Sequence, residues 1–340
     1  MFNAWPQLAD VAVAWFLVLF LLVVASFASL WWLTRIALGS GGGAADPTDS
    51  PRAQHAPRLG WGPAAAAQLA GNAASKVIPG GAATGAVVQA KVLIGAGQPA
   101  STVASGLAAS GLLTGAVLFL LPVLTIPAMI LGPSPARQLQ LGFAVSLVLA
   151  VIIVAVGIAA LTQPRLISAA GHGIGKALHL VRSSITGESV AHALLTQRDR
   201  VASAFEGHWW RAVIAAAANR MFDYAALIAA LVAFDAHVRP GQVLLAYVVA
   251  QAFAIIPITP GGVGLVDAGL TALLVLVGVP AQTALVATLL YRLFSFWLPI
   301  PLGLLAWAGW RLHVPKDLKD RDELVDPPDR SEIDCDDSRK

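Results

Sequence analysis

Long apolar stretches alternate with polar segments along the chain, and they set the predicted elements. A helix needs roughly 20 apolar residues to cross a bilayer, and five stretches are near or above that length. They predict spanning helices over Val11–Leu33, Ala100–Ile126, Gln138–Leu161, Trp209–Phe234 and Ala281–Trp307. The pattern is typical of an all-α, polytopic membrane protein.

Two further apolar stretches are interrupted by proline and glycine. From Val77 the chain reads "VIPGGAATGAVVQAKVLIGAGQPA", and from Ile258 it reads "ITPGGVGLVDAGLTALLVLVGVPA". In both, P-G-G is followed by G-x-P-A at the same spacing, which indicates an internal repeat of two interrupted or re-entrant helical hairpins. Three predicted crossings separate the two copies. Because this number is odd, the second copy should start from the opposite side of the membrane and be inverted relative to the first. Inverted-repeat transporters bind their substrates where such helices are interrupted.

The polar segments lie between and after these stretches. Residues 39–60, rich in Gly, Pro, Asp and Ala, are predicted to form a flexible loop. Residues 162–208 form a basic loop with apolar residues at helical spacing, which fits either an amphipathic segment on the membrane surface or a solvated connection. Residues 316–340 are dense in charge and predicted to be disordered. The membrane domain should therefore span residues 1–315.

Composition supports the membrane assignment. Hydrophobic residues make up 57% of the 340 residues and charged residues 12%. The first apolar stretch is longer than the core of a signal peptide and follows Asp10 without any Lys or Arg, so we expect a retained helix. The single cysteine, Cys335, excludes an intramolecular disulfide and a cysteine-based metal cluster. The histidines match no metal-ligand pattern, so neither a metal nor a cofactor is expected.

Basic residues in the loops predict the orientation. The first loop holds Arg35, Arg52 and Arg58, the loop 162–208 holds Arg165, Lys176, Arg182, Arg198 and Arg200, and seven more Lys or Arg follow from Arg311 to Lys340. If each interrupted segment returns to the side it entered from, all three regions lie in the cytoplasm. This predicts a multi-pass protein of the plasma membrane with its N-terminus outside and its C-terminus cytoplasmic.

The interruptions are candidate binding sites. Non-helical backbone survives at membrane depth only against protein or a water-lined cavity. Pro260 cannot continue a helix, and the glycines after it leave N–H groups uncovered at the start of a half-helix, where an anion is stabilised. The corresponding glycines of the first copy are Gly80 and Gly81. The stretch lacks G-x-G-x-x-G and a Walker lysine, so it is no nucleotide motif. Packing kinks without a ligand are the alternative.

Ionisable residues at membrane depth are the remaining candidates. Asp267 and Arg292 belong to the interrupted region and have no partner nearby in sequence, which favours a functional role. Arg220 and Asp223 lie three residues apart on one predicted helix, so they can form a neutralising pair or belong to the site. For Lys76 and Lys91, side chains that reach the membrane interface are the preferred interpretation.

The segment "PITPGGVGLVDAGLTALLVLVGVPAQTALVATLLYRLFSFWLPIPLG" resembles the membrane domain of lysylphosphatidylglycerol synthases/flippases and their stand-alone relatives. That family carries P-x-P-G-G-x-G-x-x-E, then G-x-P and a helix with Y-R. The stretch "NAASKVIPGGAATGAVVQAK" resembles its first-half P-x-x-x-G-E element, but Thr84 stands in place of the glutamate and Ala83 in place of the glycine. The resemblance carries site roles over to Pro260, Gly261, Gly262, Gly264, Asp267 and Arg292.

The resemblance implies lipid translocation, with an appended aminoacyltransferase domain in the synthase members. The residues after Trp310 are fewer than the roughly 50 of a small domain, so we expect the transporter part alone, a lipid or amphiphile flippase that is not an enzyme. The expected partner is a membrane phospholipid or another anionic or zwitterionic amphiphile, and not nucleic acid. A homo-oligomer and a separate lipid-modifying enzyme stay open as protein partners. The alternatives are an ion-coupled transporter of a small solute and a membrane enzyme acting on a lipid-linked substrate.

Overall fold

The structure of the chain is a computed structural model. It describes residues 13–39, 59–78, 81–121, 144, 148, 151, 199, 205, 207–236, 238–253, 262 and 264–313. The described residues contain helices and no strand, which confirms the all-α prediction.

The first half of the bundle has four helices. They are α1 (Val13–Gly39), α2 (Trp61–Val77), α3 (Ala82–Gly95) and α4 (Ala100–Leu120). Helix α2 forms because alanine, the best helix former, dominates its sequence, and Pro63 lies in its first turn, where a missing N–H costs nothing. The helix ends just before Pro79, because a proline disfavours the helical conformation in the residue that precedes it.

The second half repeats this order of elements. It contains α5 (Trp209–Val232), α6 (Pro240–Phe253), α7 (Leu265–Leu276), α8 (Ala281–Arg292), a π-helical turn (Leu293–Trp297) and α9 (Pro299–His313). In each half a long helix precedes two short ones separated by a P-G-G break, and a second long helical segment follows. The helix from α8 to α9 is nearly continuous and long enough to span a membrane.

The G-x-P-A motifs end the two short half-helices in the same way. Gly97 and Gly278 adopt positive φ angles of 88° and 96°, which favour glycine. After each, a backbone N–H bonds to the carbonyl oxygen five residues back, from Gln98 to Leu93 and from Val279 to Leu274. Pro99 and Pro280 then cap α4 and α8. The repeated spacing thus encodes two equivalent helix ends.

Close backbone contacts hold the first hairpin. A Cβ added to Gly85 of α3 would lie 2.6 Å from the Gly71 carbonyl oxygen of α2. On the other side of α2, a Cβ on Gly303 of α9 would collide with the Leu69 carbonyl oxygen. Small residues let helices approach this closely, as is common in membrane proteins. Helix α2 is therefore fixed between α3 and α9.

The two halves meet where α1 packs against α5 and where α2 packs against α9. The core between them is apolar, but Ser26 of α1 and Asn219 of α5 are buried and bond each other through side chain and backbone. Large apolar side chains such as Leu17, Leu112, Leu289 and Leu305 stay exposed on the outside of the bundle. An apolar exterior with polar groups inside is expected for helices in lipid.

Four described helical segments are long and apolar enough to span a membrane: Val13–Gly39, Ala100–Leu120, Trp209–Val232 and Ala281–Leu312. They correspond to four of the five predicted spans. The fifth, 138–161, lies outside the described residues except for Ala144, Val148 and Val151, which are helical. The predicted loop 39–60 lies outside them almost entirely, as do most of 162–208 and all of the tail 316–340.

Candidate functional site

A cavity of about 1110 Å³ lies inside the bundle and is bordered by both interrupted hairpins. Gly81 at the start of α3 and Gly262 just before α7 both line this central cavity. Its volume is slightly above the roughly 300–1,000 Å³ typical of ligand pockets. The space is therefore large enough for a sizeable ligand.

Glycine is required where the half-helices begin. Gly81, Gly262 and Gly264 have φ angles of 55°, 71° and 86°, a region that other residues rarely adopt. Gly81 is the N-cap of α3, and Gly264 is the N-cap of α7. The predicted site residues Gly80, Pro260 and Gly261 lie outside the described residues.

Thr84 and Asp267 occupy the same position of the two half-helices, the third residue after the N-cap. The Asp267 carboxylate accepts a hydrogen bond of 3.1 Å from the Gly264 N–H. The Thr84 hydroxyl instead donates to the Gly81 carbonyl oxygen at 2.9 Å. The two copies are thus alike in backbone, while only the second carries a charge, which the N-terminus of α7 stabilises.

Asp267 also contacts Arg292, which α8 carries in its last turn. Arg292 Nε and Asp267 Oδ1 are 2.5 Å apart, and the side chains are 12% and 29% exposed. Nε is thus engaged by the carboxylate, whereas the buried Nη2 of Arg292 donates to no group among the described residues. The guanidinium also lies over the Phe296 ring, 5.3 Å from its centre. Arg292 lines the cavity with donor capacity to spare.

Asp223 is held by donors from two other helices. Its Oδ2 accepts hydrogen bonds from Tyr247 Oη at 2.7 Å, Tyr291 Oη at 2.9 Å and Gln251 Nε2 at 3.2 Å. Within the part of the chain that the structure describes, no ion pair joins Asp223 to Arg220, and Arg220 Nε is buried without a hydrogen-bond partner. The predicted neutralising pair is therefore not formed, because hydroxyl and amide donors satisfy the carboxylate. Both side chains line the cavity.

Lys76 does not reach for the membrane interface, contrary to the preferred interpretation of its sequence. Its Nζ donates to the carbonyl oxygens of Ser295 at 2.8 Å and Phe296 at 3.2 Å. Pro299 has no N–H, so the Ser295 carbonyl lacks its usual helical donor four residues on. Lys91, on α3, is exposed, and its position at the membrane interface stays a prediction.

The lining is mainly apolar in area, with polar and charged side chains set into it. Among the described residues, its charged members are three cations, Lys76, Arg220 and Arg292, and one carboxylate, Asp223. Tyr247, Gln251 and Tyr291 were not predicted as site residues, although polar side chains inside apolar helices are a signal that could have identified them. Among the described residues, no group of three or more His, Cys, Asp and Glu side chains could hold a metal ion.

Comparisons with known proteins agree with this architecture. Residues 1–303 match the model of the lysylphosphatidylglycerol synthase TM region. Over 62 residues the chain is 44% identical to a UPF0104 membrane protein of Pyrococcus horikoshii, and this match covers 18% of each chain. No solved structure matches. Because the family model covers most of the chain, the protein belongs to the family of the lysylphosphatidylglycerol synthase transmembrane region.

Proposed function

We propose that this protein is a flippase that moves a phospholipid or a similar anionic or zwitterionic amphiphile across the membrane without making or breaking bonds. The observation that carries the proposal is a large cavity with three cationic side chains inside a bundle whose exterior is apolar. A headgroup needs such a polar path, whereas its acyl chains can stay in the surrounding lipid. The proposal assigns no catalytic residue to the chain.

Arg292 is the proposed phosphate ligand. Its planar guanidinium suits phosphate oxygens, and its buried Nη2 has no hydrogen-bond partner among the described residues. Arg220 adds a second guanidinium to the same cavity. The N-terminal ends of α3 and α7 border the cavity and add partial positive charge. Without substrate, Asp267 serves as the counterion of Arg292, and an arriving phosphate competes with it.

The experiment is reconstitution of the protein into liposomes with fluorescent phospholipids in both leaflets. A membrane-impermeant reductant bleaches the outer leaflet, and lipids moved from the inner leaflet are bleached in turn. Protein-containing liposomes should lose nearly all fluorescence, and protein-free liposomes about half. Equal loss in the two preparations, with folded protein in the liposomes, would reject the proposal.

An ion-coupled transporter is the second candidate, and the contact between Asp267 and Arg292 favours it. Arg292 is the proposed substrate-binding residue. When it turns away from Asp267 to bind substrate, the Asp267 carboxylate can take up a proton. In that case a pH gradient should drive transport.

For location, we propose the plasma membrane with the N-terminus outside and the C-terminus in the cytoplasm, as the loop charges predict. A second copy of the chain or a separate lipid-modifying enzyme is the proposed protein partner, the latter as a source of the lipid.

A further inference from the structure

One face of α2 presents uncharged polar side chains to the cavity. Gln68, Asn72 and Ser75 line it together with Lys76, and their spacing of four, three and one residues places them on one side of the helix. At 1.5 Å per residue the face is about 12 Å long. Gln89 of α3 lies beside it and donates its amide to Gln68 Oε1. We call Gln68, Asn72, Ser75 and Gln89 the amide face.

The amide face has hydrogen-bond capacity that the protein does not use. Asn72 Oδ1 is buried and has no hydrogen-bond partner among the described residues. The amide nitrogens of Gln68 and Asn72 donate no hydrogen bond to the described part of the chain either. Polar residues that only hold helices together bond each other, and a buried polar group without a partner is costly. The unused groups therefore indicate a ligand that both donates and accepts hydrogen bonds.

The charges of the cavity disfavour an ammonium group as that ligand. An ammonium would meet Lys76, Arg220 and Arg292, while three hydrogen bonds already occupy Oδ2 of Asp223, the one carboxylate among the described lining residues. Hydroxyl groups are neutral, donate and accept at once, and suit amide side chains. Their presence next to a phosphate fits a cavity whose lining holds both cations and amides.

We infer that the amide face recognises a hydroxylated headgroup, so that the protein selects an amphiphile whose phosphate carries a polyol or sugar rather than an amine. The inference rests on the proposed function, because it names the substrate class of the same cavity. Arg292 and Arg220 hold the phosphate, and the amide face reads the hydroxyl groups attached to it.

The test measures binding of soluble headgroups to the full chain in nanodiscs by calorimetry. The probes are inositol 1-phosphate, phosphocholine and inorganic phosphate. Wild-type protein should bind inositol 1-phosphate at least about tenfold more tightly than phosphocholine, since each lost hydrogen bond weakens binding by roughly threefold to tenfold. Equal binding, tighter phosphocholine binding or no binding of inositol 1-phosphate would overturn the inference.

Two variants separate recognition of hydroxyls from general damage. Asn72→Leu should weaken inositol 1-phosphate about tenfold and leave inorganic phosphate unchanged, because phosphate does not use the amide face. Thr288→Val is the matched control: its hydroxyl is also buried without a hydrogen-bond partner in the described chain, but it does not line the cavity. Equal weakening of both probes in Asn72→Leu, or the same loss in Thr288→Val, would also contradict the inference.

A lipid-exchange assay distinguishes the headgroup selection from the flippase proposal. Liposomes should exchange fluorescent phosphatidylinositol faster than fluorescent phosphatidylcholine. Fast exchange of both at equal rates would leave the flippase proposal standing and reject the headgroup selection. Selective binding of inositol 1-phosphate without exchange of any lipid would support the selection and reject the flippase.

Discussion

Arg292 combines three properties that a phosphate ligand needs: burial, unused N–H groups and a position on the cavity wall. Its nearest counter-charge, Asp267, lies on the neighbouring half-helix and is already bonded to the Gly264 N–H. The carboxylate thus stays in place when the guanidinium turns away. A substrate phosphate can replace it without disturbing the start of α7.

Arg292→Ala should abolish leaflet exchange of anionic and zwitterionic lipids, and Arg292→Lys should keep only part of it. Lysine retains the charge but lacks the two-pronged geometry that binds two phosphate oxygens. Exchange rates in liposomes, normalised to the amount of folded protein, measure the effect. Arg311→Ala is the control, because Arg311 is exposed and stacks on Trp307 outside the cavity. Wild-type rates in Arg292→Ala would contradict the assignment.

Asp267→Asn separates the flippase from the coupled transporter. The amide oxygen can still accept the Gly264 N–H, so the half-helix keeps its cap while the charge next to Arg292 is lost. In a flippase the variant should shift preference toward more anionic lipids and leave the response to a pH gradient unchanged. In a proton-coupled transporter the gradient should no longer drive transport. Exchange assays with and without an imposed gradient decide between them.

At the scale of elements, the break between α8 and α9 is joined to the first half by one side chain. Pro299 leaves the Ser295 carbonyl without its usual helical donor, and Lys76 of α2 donates to that oxygen and to the Phe296 carbonyl oxygen. The ammonium also lies over the Phe296 ring, 4.9 Å from its centre. The break includes a π-helical turn, and such turns are frequent at functional sites.

Lys76→Met should destabilise the protein by roughly 1–3 kcal/mol, because two buried carbonyl oxygens lose their donor. Thermal unfolding in detergent would measure the loss. Lys91→Met is the matched control, since Lys91 belongs to the same hairpin but is exposed. Lys76→Arg should recover part of the stability because it can still donate to both carbonyls. Equal stability of Lys76→Met and Lys91→Met would show that the hydrogen bonds of Lys76 add nothing to the free energy of unfolding.

Gly85→Ala should destabilise the first hairpin by roughly 1–3 kcal/mol, the usual cost of overpacking. The added methyl group would meet the Gly71 carbonyl oxygen at 2.6 Å and Ser75 Cβ at 2.7 Å, so α2 and α3 must separate. Gly62→Ala, in the first turn of α2, meets nothing within 4 Å and should leave stability nearly unchanged. Thermal unfolding of the two variants side by side tests this. Equal stability of Gly85→Ala and Gly62→Ala would show that α2 and α3 separate without cost, and it would contradict this prediction.

The sequence predicted the elements better than their contacts. The P-G-G and G-x-P-A motifs identified both interruptions, because proline and glycine act locally on the backbone. Helices α2 and α6 were not predicted as separate elements, since the alanine, glutamine and asparagine of α2 weaken its apolar signal. The donors to Asp223 and the acceptors of Lys76 come from distant parts of the chain. No local sequence pattern predicts such long-range contacts. The donors to Asp223 take the place of the ion pair expected from the proximity of Arg220 to Asp223.

For the whole molecule, the two halves have the same order of elements, and inversion of the second relative to the first stays a prediction. The single cysteine provides a direct test of one end. Cys335 should react with a membrane-impermeant maleimide only from the cytoplasmic side. In a Cys335→Ser background, a cysteine in place of Arg239 should react from outside, and one within residues 183–198 from the cytoplasm. Labelling of that central loop from outside would reject the inverted arrangement.

The bond from Lys76 to Ser295 joins residues 219 positions apart, which bears on how the protein is made. When α2 leaves the ribosome, the carbonyl groups that will accept its ammonium have not yet been synthesised. Until the last helices insert, Lys76 in the first hairpin lacks these acceptors. The break between α8 and α9 in turn depends on the first hairpin for its donor. This contact between the halves can therefore form only after the α8–α9 segment has been synthesised.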